Sequence, residues 1–288
     1  MTQYAFDHNG QPVDFNLADR GLAYGDGFFE TLRVHQGKVP LWTWHRERLL
    51  RSSQQLHLKI DMAVIETLLN QLIPQATVIK LIVSRGAQGY GYRPEDINTT
   101  RYYWQIKPDR AYRPVQLGLL NYALSQPARP LRMLKHLNRL DYVQAAITAQ
   151  QDSMLAQAFV DQDWDTEIGL INQQGCLADA LHSNLLWVTG DQYYTTCLDQ
   201  GGVAGVMLAA WQAQHSVQVT RISACHWPLA KLQAVYLTNA IMGVVPVSQL
   251  LTPNGVVSIT EPEQLRQKRL DTLMSLNVPD YDSLQTAI

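Results

Sequence analysis

The chain has 288 residues, a formal net charge of -2, 46% hydrophobic and 17% charged residues, and a sequence pI of about 6.4. That length and apolar content suit two ordinary domains, or one large one, around a substantial core. Scattered basic residues without an aromatic-basic stripe exclude a typical nucleic-acid surface, and no run of about 18 apolar residues offers a membrane span. Three cysteines, Cys176, Cys197 and Cys225, are odd in number and lack metal-ligand spacing. They fit a reducing compartment, no metal site and, with no apolar leader segment in residues 1–15, a cytoplasmic protein.

Tyr4–Phe6 and Pro12–Phe15 flank Asn9-Gly10, a hairpin signal. Asp19-Arg20-Gly21 leads into Tyr24-Gly25-Asp26-Gly27, a glycine-rich turn that runs on as a strand to Val34. The spacing of Trp42, His45, Leu49 and Leu56 predicts a helix over 42–56, and Asp61 caps a second over 62–72 that Pro74 closes. Thr77–Val83 is a β-branched run suited to a buried strand, entering the glycine-rich loop Ser84–Tyr92. Arg101–Lys107 and Val115–Tyr122 read as further strands, so the first half is a mixed αβ domain with mostly hairpin connections. A proline-punctuated connector, Gln126–Pro130, precedes Leu134-Lys135-His136 and a helix from Leu140 to Gln151. The domains expected are 1–121, a connector over 122–134, and 135–288.

Beyond the connector, Glu167–Ile171 pairs with Cys176–Ala178, and Asn184–Val188 with Gln192–Thr196. Gly201–Gly205 opens a helix, Val206 to Gln214. Val217–Ile222, Ala234–Thr238 and Val244–Leu250 read as strands, and Thr260-Glu261-Pro262-Glu263 as a capped start of a helix to Met274. The second half has the pattern of a closed or strongly coiled sheet with peripheral helices.

Several segments carry reactive or ligand-holding chemistry. Lys135, on a loop among leucines, can be desolvated; that disfavours the ammonium and leaves a nucleophilic amine able to form a Schiff base. Arg48, one helical turn beyond His45, can present its planar fork to a phosphate. The Val206 and Met207 amides open a helix after glycine and suit an anion, and the Asn239-Ala240-Ile241 turn offers further donors. Asp179, among Leu177, Ala178, Ala180 and Leu181, needs a partner for its burial, such as a protonated ring nitrogen. Taken alone, each segment reads first as a solvated lysine or arginine, or a plain glycine loop. Together they are an amine, a phosphate cradle and a lone carboxylate, the set that pyridoxal 5'-phosphate requires.

The chain resembles the fold type IV, branched-chain aminotransferase-like pyridoxal-phosphate enzymes. The resemblance rests on Asp19-Arg20-Gly21 with Tyr24–Thr31, His45-x-x-Arg48-Leu49, Val83–Gly86 with Gly89–Tyr92, Lys135–Asp141, Ser183–Trp187, Leu198–Met207 and Leu237–Val247. It implies a two-domain α/β fold of α+β type, with a smaller N-terminal mixed αβ domain and a larger C-terminal pseudo-barrel. It also implies Lys135 as the Schiff-base lysine, Arg48, Val206, Met207, Asn239, Ala240 and Ile241 around the phosphate, and Asp179 at the pyridine nitrogen. Three positions depart from the family's usual residues: Asp179 for glutamate, Leu208 for an arginine and Ala240 for a threonine.

Within the family, the resemblance implies a lyase acting on a small molecule, 4-amino-4-deoxychorismate, to give 4-aminobenzoate and pyruvate. Glu30, Arg85, Tyr90, Tyr92, Tyr103 and Lys107 are candidates to anchor that dicarboxylate. An aminotransferase for D- or branched-chain amino acids is the competing expectation, to which Glu30 gives footing, and a homologue silenced by Asp179 is a third. The resemblance further implies a homodimer.

Overall fold

The computed structural model describes residues 2–108, 116–152, 155–156, 166–252 and 255–280. The chain divides into two compact units, Met1–Arg110 with Leu134–Arg139, and Ala111–Met133 with Leu140–Ile288.

The first unit holds an antiparallel sheet in the order β1 (Thr2–Phe6), β4 (Arg101–Lys107), β3 (Val78–Ser84), β2 (Gly27–Arg33). Alternation along the strands decides what each face carries, because successive side chains point to opposite sides. Leu32, Ile79, Leu81, Val83, Tyr102 and Trp104 form a buried core with Leu49 of α2 (Trp42–Gln55) and Ile65 of α3 (Met62–Leu72). Leu49 and Ile65 are fully buried, and each contributes about 1.5–3 kcal/mol by leaving water. The Asp61 side chain caps α3 as expected, accepting from the Ala63 and Val64 amides.

The expected glycine turn contains a short helix, α1 (Arg20–Tyr24). The Asp19 carboxylate accepts from Gly21 N–H, and Gly25 closes the helix at φ 65°, its N–H bonding back to Arg20 and Gly21 carbonyls. Only glycine serves there: besides the positive φ, a Cβ would come within 2.4 Å of Asn138 Oδ1.

Segment 134–139 runs beside the free edge of β2. Phe29 N–H donates to Lys135 O (2.9 Å), Leu137 N–H donates to Gly27 O (3.0 Å), and Phe28 bridges His136. The Arg139 guanidinium fastens the loop to the Leu134 and His136 carbonyls. This pairing groups Lys135 with the first unit, whereas the sequence places it at the head of the second domain.

The second unit has two five-stranded sheets. One runs β14 (Gly255–Ser258), β13 (Gln249–Thr252), β5 (Gln116–Leu124), β6 (Thr166–Asn172), β7 (Leu177–Ala180). The other runs β10 (Val217–Thr220), β9 (Gln192–Thr196), β8 (Asn184–Thr189), β11 (Leu232–Asn239), β12 (Gly243–Pro246). Helices α4 (Leu140–Gln151), α5 (Val206–Gln212) and α6 (Glu263–Ser275) accompany them. Leu185, Trp187, Val235, Leu237 and Leu250 share one core cluster, and Leu120, Ala145, Ile168 and Ala178 another.

Two expectations fail here for local reasons. The single strand predicted over 244–250 is two, because the chain crosses between sheets: Val247 N–H still donates to Val235 O at 2.8 Å, after which the chain leaves the β11 pairing for β5 and β14. Thr260 does not cap α6, whose N-cap is Pro262 without a side-chain bond. Glu261 instead receives the fork of Arg269, Nε to Oε1 at 3.0 Å and Nη2 to Oε2 at 3.2 Å. The three cysteines are free, and no helix among the described residues is long and apolar enough to cross a membrane.

Candidate active site

In the first unit the site is organised around Lys135. Its main chain is fixed by the β2 edge, and its Nζ lies 4.6 Å from the centroid of the Phe29 ring. An ammonium against an aromatic face is stabilised by the ring quadrupole, yet the same ring removes water from the amine.

On the core face of β2, Glu30 is 1% exposed and holds two partners from α2. Arg48 grips it through Nε to Oε1 (2.7 Å) and Nη2 to Oε2 (2.5 Å). His45 Nδ1 lies 2.7 Å from Oε2. Burial alone would raise the Glu30 pKa, but the charges and hydrogen bonds of Arg48 and then His45 outweigh it and hold Glu30 at about 2. For His45, burial lowers the pKa, with the Arg48 and Lys135 charges adding to it, against the opposing pull of Glu30. The histidine is therefore neutral and donates from Nδ1, while the Glu30–Arg48 pair is ionised.

The proposed substrate anchors fall in different places. Arg85 spends its guanidinium on Asp26 (2.9 Å), His57 O (2.9 Å) and Leu56 O (2.7 Å). Tyr103 donates to Asp19 Oδ2 at 2.5 Å, in a cluster that also holds Ser84 Oγ. Burial first, then that carboxylate, pushes the Tyr103 phenol above its ordinary range. Tyr90 and Tyr92 are 92% and 87% exposed. Lys107 ends β4, half-buried. Arg85 and Tyr103 thus serve the loop around Asp19 and Asp26, and Glu30 serves Arg48.

In the second unit Asp179 on β7 is 3% exposed and accepts from three donors. Asn184 Nδ2 donates to Oδ1 (2.9 Å), while Val203 N–H (3.0 Å) and Tyr142 Oη (3.1 Å) donate to Oδ2. Three donors favour the carboxylate over the acid. Asn184 also donates to Val203 O at 2.8 Å, which fixes the loop leading to α5. A Cβ on Gly205 would fall 1.9 Å from Asn184 Oδ1, so only glycine lets that loop close over it. Gly205 is the N-cap of α5 and offers no side-chain cap; the Val206 and Met207 amides are the first two of the helix. In the third segment, Asn239 Oδ1 accepts from Ile241 N–H (2.9 Å) and Met242 N–H (2.8 Å), so the turn is shaped by its own asparagine. Ala240 lies between them, half-buried.

Residues 27–250 match the model of the amino-transferase class IV family. The chain belongs to that family. It is 30% identical over 275 residues to an aminodeoxychorismate lyase of Vibrio harveyi, covering 86% of this chain and 92% of that one. The solved 4-amino-4-deoxychorismate lyase of Pseudomonas aeruginosa is 29% identical, with a TM-score of 0.79 over 95% of this chain and 98% of that one. A D-alanine aminotransferase of Staphylococcus aureus is 29% identical over 142 residues, 46% of this chain and 49% of that one.

The cofactor of the class IV family is pyridoxal phosphate, and the residues present fit it. The second unit supplies an uncapped helix start closed by an obligatory glycine, a shaped turn and a buried carboxylate. Beside that turn, the buried Thr238 hydroxyl has no partner among the described residues, an unsatisfied donor of the kind a phosphate oxygen quenches. Sequence reasoning missed Tyr142 and the Val203 amide as holders of Asp179; Tyr142 sits 37 positions away, and nothing local marks it.

Proposed function

We propose that the chain is a pyridoxal-phosphate-dependent lyase that converts 4-amino-4-deoxychorismate to 4-aminobenzoate and pyruvate. The observation that carries this is the nearly full-length likeness to the Vibrio harveyi and Pseudomonas aeruginosa lyases, together with the seating of Lys135 on the β2 edge. The match to D-alanine aminotransferase spans less than half of the chain.

Bound pyridoxal phosphate supplies a carbonyl that condenses with amines and a ring that withdraws electrons. Lys135 is the amine that would hold that carbonyl. Its Nζ would take the proton from the carbon bearing the substrate amine and return a proton to the departing enolpyruvyl oxygen. The carbon–oxygen bond breaks, the ring becomes aromatic, and no second substrate or water is consumed. Asp179, which accepts from Asn184, Tyr142 and the Val203 amide, would face the pyridine nitrogen and keep its proton there. The Val206 and Met207 amides, the Asn239–Ile241 turn and Arg48 are the groups that would hold the phosphate, and Glu30 fixes the Arg48 fork.

We place the enzyme in the cytoplasm as a homodimer. Phe15, Leu17, Leu22, Tyr90 and Tyr92 are each exposed on the single chain, large apolar side chains of the sort that a second copy covers.

The test is to supply 4-amino-4-deoxychorismate alone and follow 4-aminobenzoate. Release of pyruvate and 4-aminobenzoate without a keto-acid acceptor supports the lyase. Glutamate formation from an amino acid and 2-oxoglutarate, with no 4-aminobenzoate, replaces it with the aminotransferase reading.

A further inference from the structure

Across the first unit's sheet, Thr31, Lys80, Gln105 and Gln3 lie in register on four successive strands. Residues directly opposite in an antiparallel pair share a face, so these four form one polar row. The adjacent row includes Phe29, Ile82 and Tyr103, and Lys107 stands two residues beyond Gln105 on the same face. Lys80 Nζ lies 4.8 Å from the Phe29 centroid, the same ring that Lys135 Nζ approaches at 4.6 Å.

Lys80 is half-buried, and among the described residues neither it nor Lys107 has a carboxylate partner. Arg33, which ends β2, has partners of its own. Burial and then the Lys107 charge push the Lys80 pKa below the ordinary lysine value. Two partly desolvated ammoniums without counter-ions repel each other; an anion between them removes that penalty. Simple packing of a lysine stem on a ring does not account for a second lysine brought beside it.

We propose that Lys80, with Lys107 beside it and Gln105 and Thr31 flanking it, is a seat for one carboxylate of the substrate. The identity of the ligand rests on the lyase reading above. The substrate's amine goes to the site of Lys135, and with one carboxylate on its six-membered ring and a second on the enolpyruvyl ether the molecule is of a size to span the Phe29 ring toward Lys80. Lys80 is then a specificity residue: it selects dicarboxylate substrates and moves no proton itself.

The test uses the holoenzyme, with steady-state kinetics on 4-amino-4-deoxychorismate and calorimetric titration with chorismate, which keeps both carboxylates but has no amine to condense. Lys80→Gln is expected to raise KM and the chorismate Kd roughly 10- to 100-fold, the effect of losing one charge-assisted contact, with kcat changed by less than about threefold. Lys80→Arg restores most of the affinity, and Lys59→Gln, at an exposed pair with Asp96, controls for net charge. Lys80→Met, which keeps the stem against Phe29, replaces Lys80→Gln if that variant does not fold. A loss confined to kcat, a KM and Kd within twofold of the parent, or a parent that does not bind chorismate overturns the proposal. A parent that binds chorismate in a Lys80-dependent way yet releases no 4-aminobenzoate keeps the carboxylate seat and sinks the lyase reading.

Discussion

The Arg48 fork closes on both oxygens of Glu30, Nε to Oε1 at 2.7 Å and Nη2 to Oε2 at 2.5 Å, with the carboxylate 1% exposed. Removing one partner of such a buried pair leaves the other charge uncompensated. Glu30→Gln is therefore expected to lower unfolding stability at pH 7 by about 3–5 kcal/mol and to weaken cofactor binding by releasing Arg48. Because the folded Glu30 pKa is depressed to about 2 from 4.5, its contribution is complete above about 4.5 and fades as pH falls toward 2. Urea unfolding of parent and variant between pH 7 and pH 3 checks both points: the gap narrows below about 4.5.

A second acid effect comes from His136, next to the reactive lysine. Burial, and then the Arg139 charge, lower its pKa to about 4 from 6.5, and its buried Nδ1 has no partner among the described residues. Between these values the unfolded chain takes up a proton that the folded chain refuses. Stability therefore falls as pH drops from about 6.5 toward 4. His136→Gln is expected to flatten that slope, measured by unfolding midpoints across the interval.

Asp179 is the residue whose charge the second unit is built to keep. Asp179→Asn is expected to lower kcat on the order of 10²-fold, as losing one preorganised electrostatic group does, while the protein stays folded and cofactor absorbance remains measurable. Tyr142→Phe is expected to act in the same direction, roughly 10-fold, because two donors remain on the carboxylate. Stopped-flow absorbance of the bound cofactor with kcat reads both; an unchanged kcat in Asp179→Asn contradicts the role.

Gly205→Ala tests the loop that carries the helix amides. The added Cβ falls 1.9 Å from Asn184 Oδ1, so the asparagine must move and its bond to Asp179 is strained. A cost of about 1–3 kcal/mol in stability follows from overpacking, with weaker cofactor retention on dialysis. Coupling with Asn184→Ala is expected: the double variant loses less than the two single losses combined.

What was legible in the sequence is what local pattern encodes. Trp42–Gln55 and Met62–Leu72 announce themselves by helical spacing and the Asp61 cap, and both form. The five-residue helix at Arg20–Tyr24 was hidden because its stability comes from a cap and a left-handed glycine rather than an apolar stripe. The strand over 244–250 reads as one because its apolar composition is continuous, while the chain passes from the β11 pairing to β5 and β14 after Val247. In the site, residue types and motif order pointed to Lys135 and Asp179. Their surroundings depend on contacts between elements distant in sequence, such as Glu30 with Arg48 and Tyr142 with Asp179. Arg85 and Tyr103 were proposed as anchors from residue type alone, and only the fold reveals that Asp26 and Asp19 already hold them.

The most direct measurement of the central claim is borohydride reduction of the holoenzyme followed by peptide mapping. The account predicts a cofactor-derived adduct on the peptide containing Lys135, absent from Lys135→Ala, with the parent's cofactor absorbance lost on reduction. An adduct on another lysine, or full cofactor release from the parent after reduction, contradicts it.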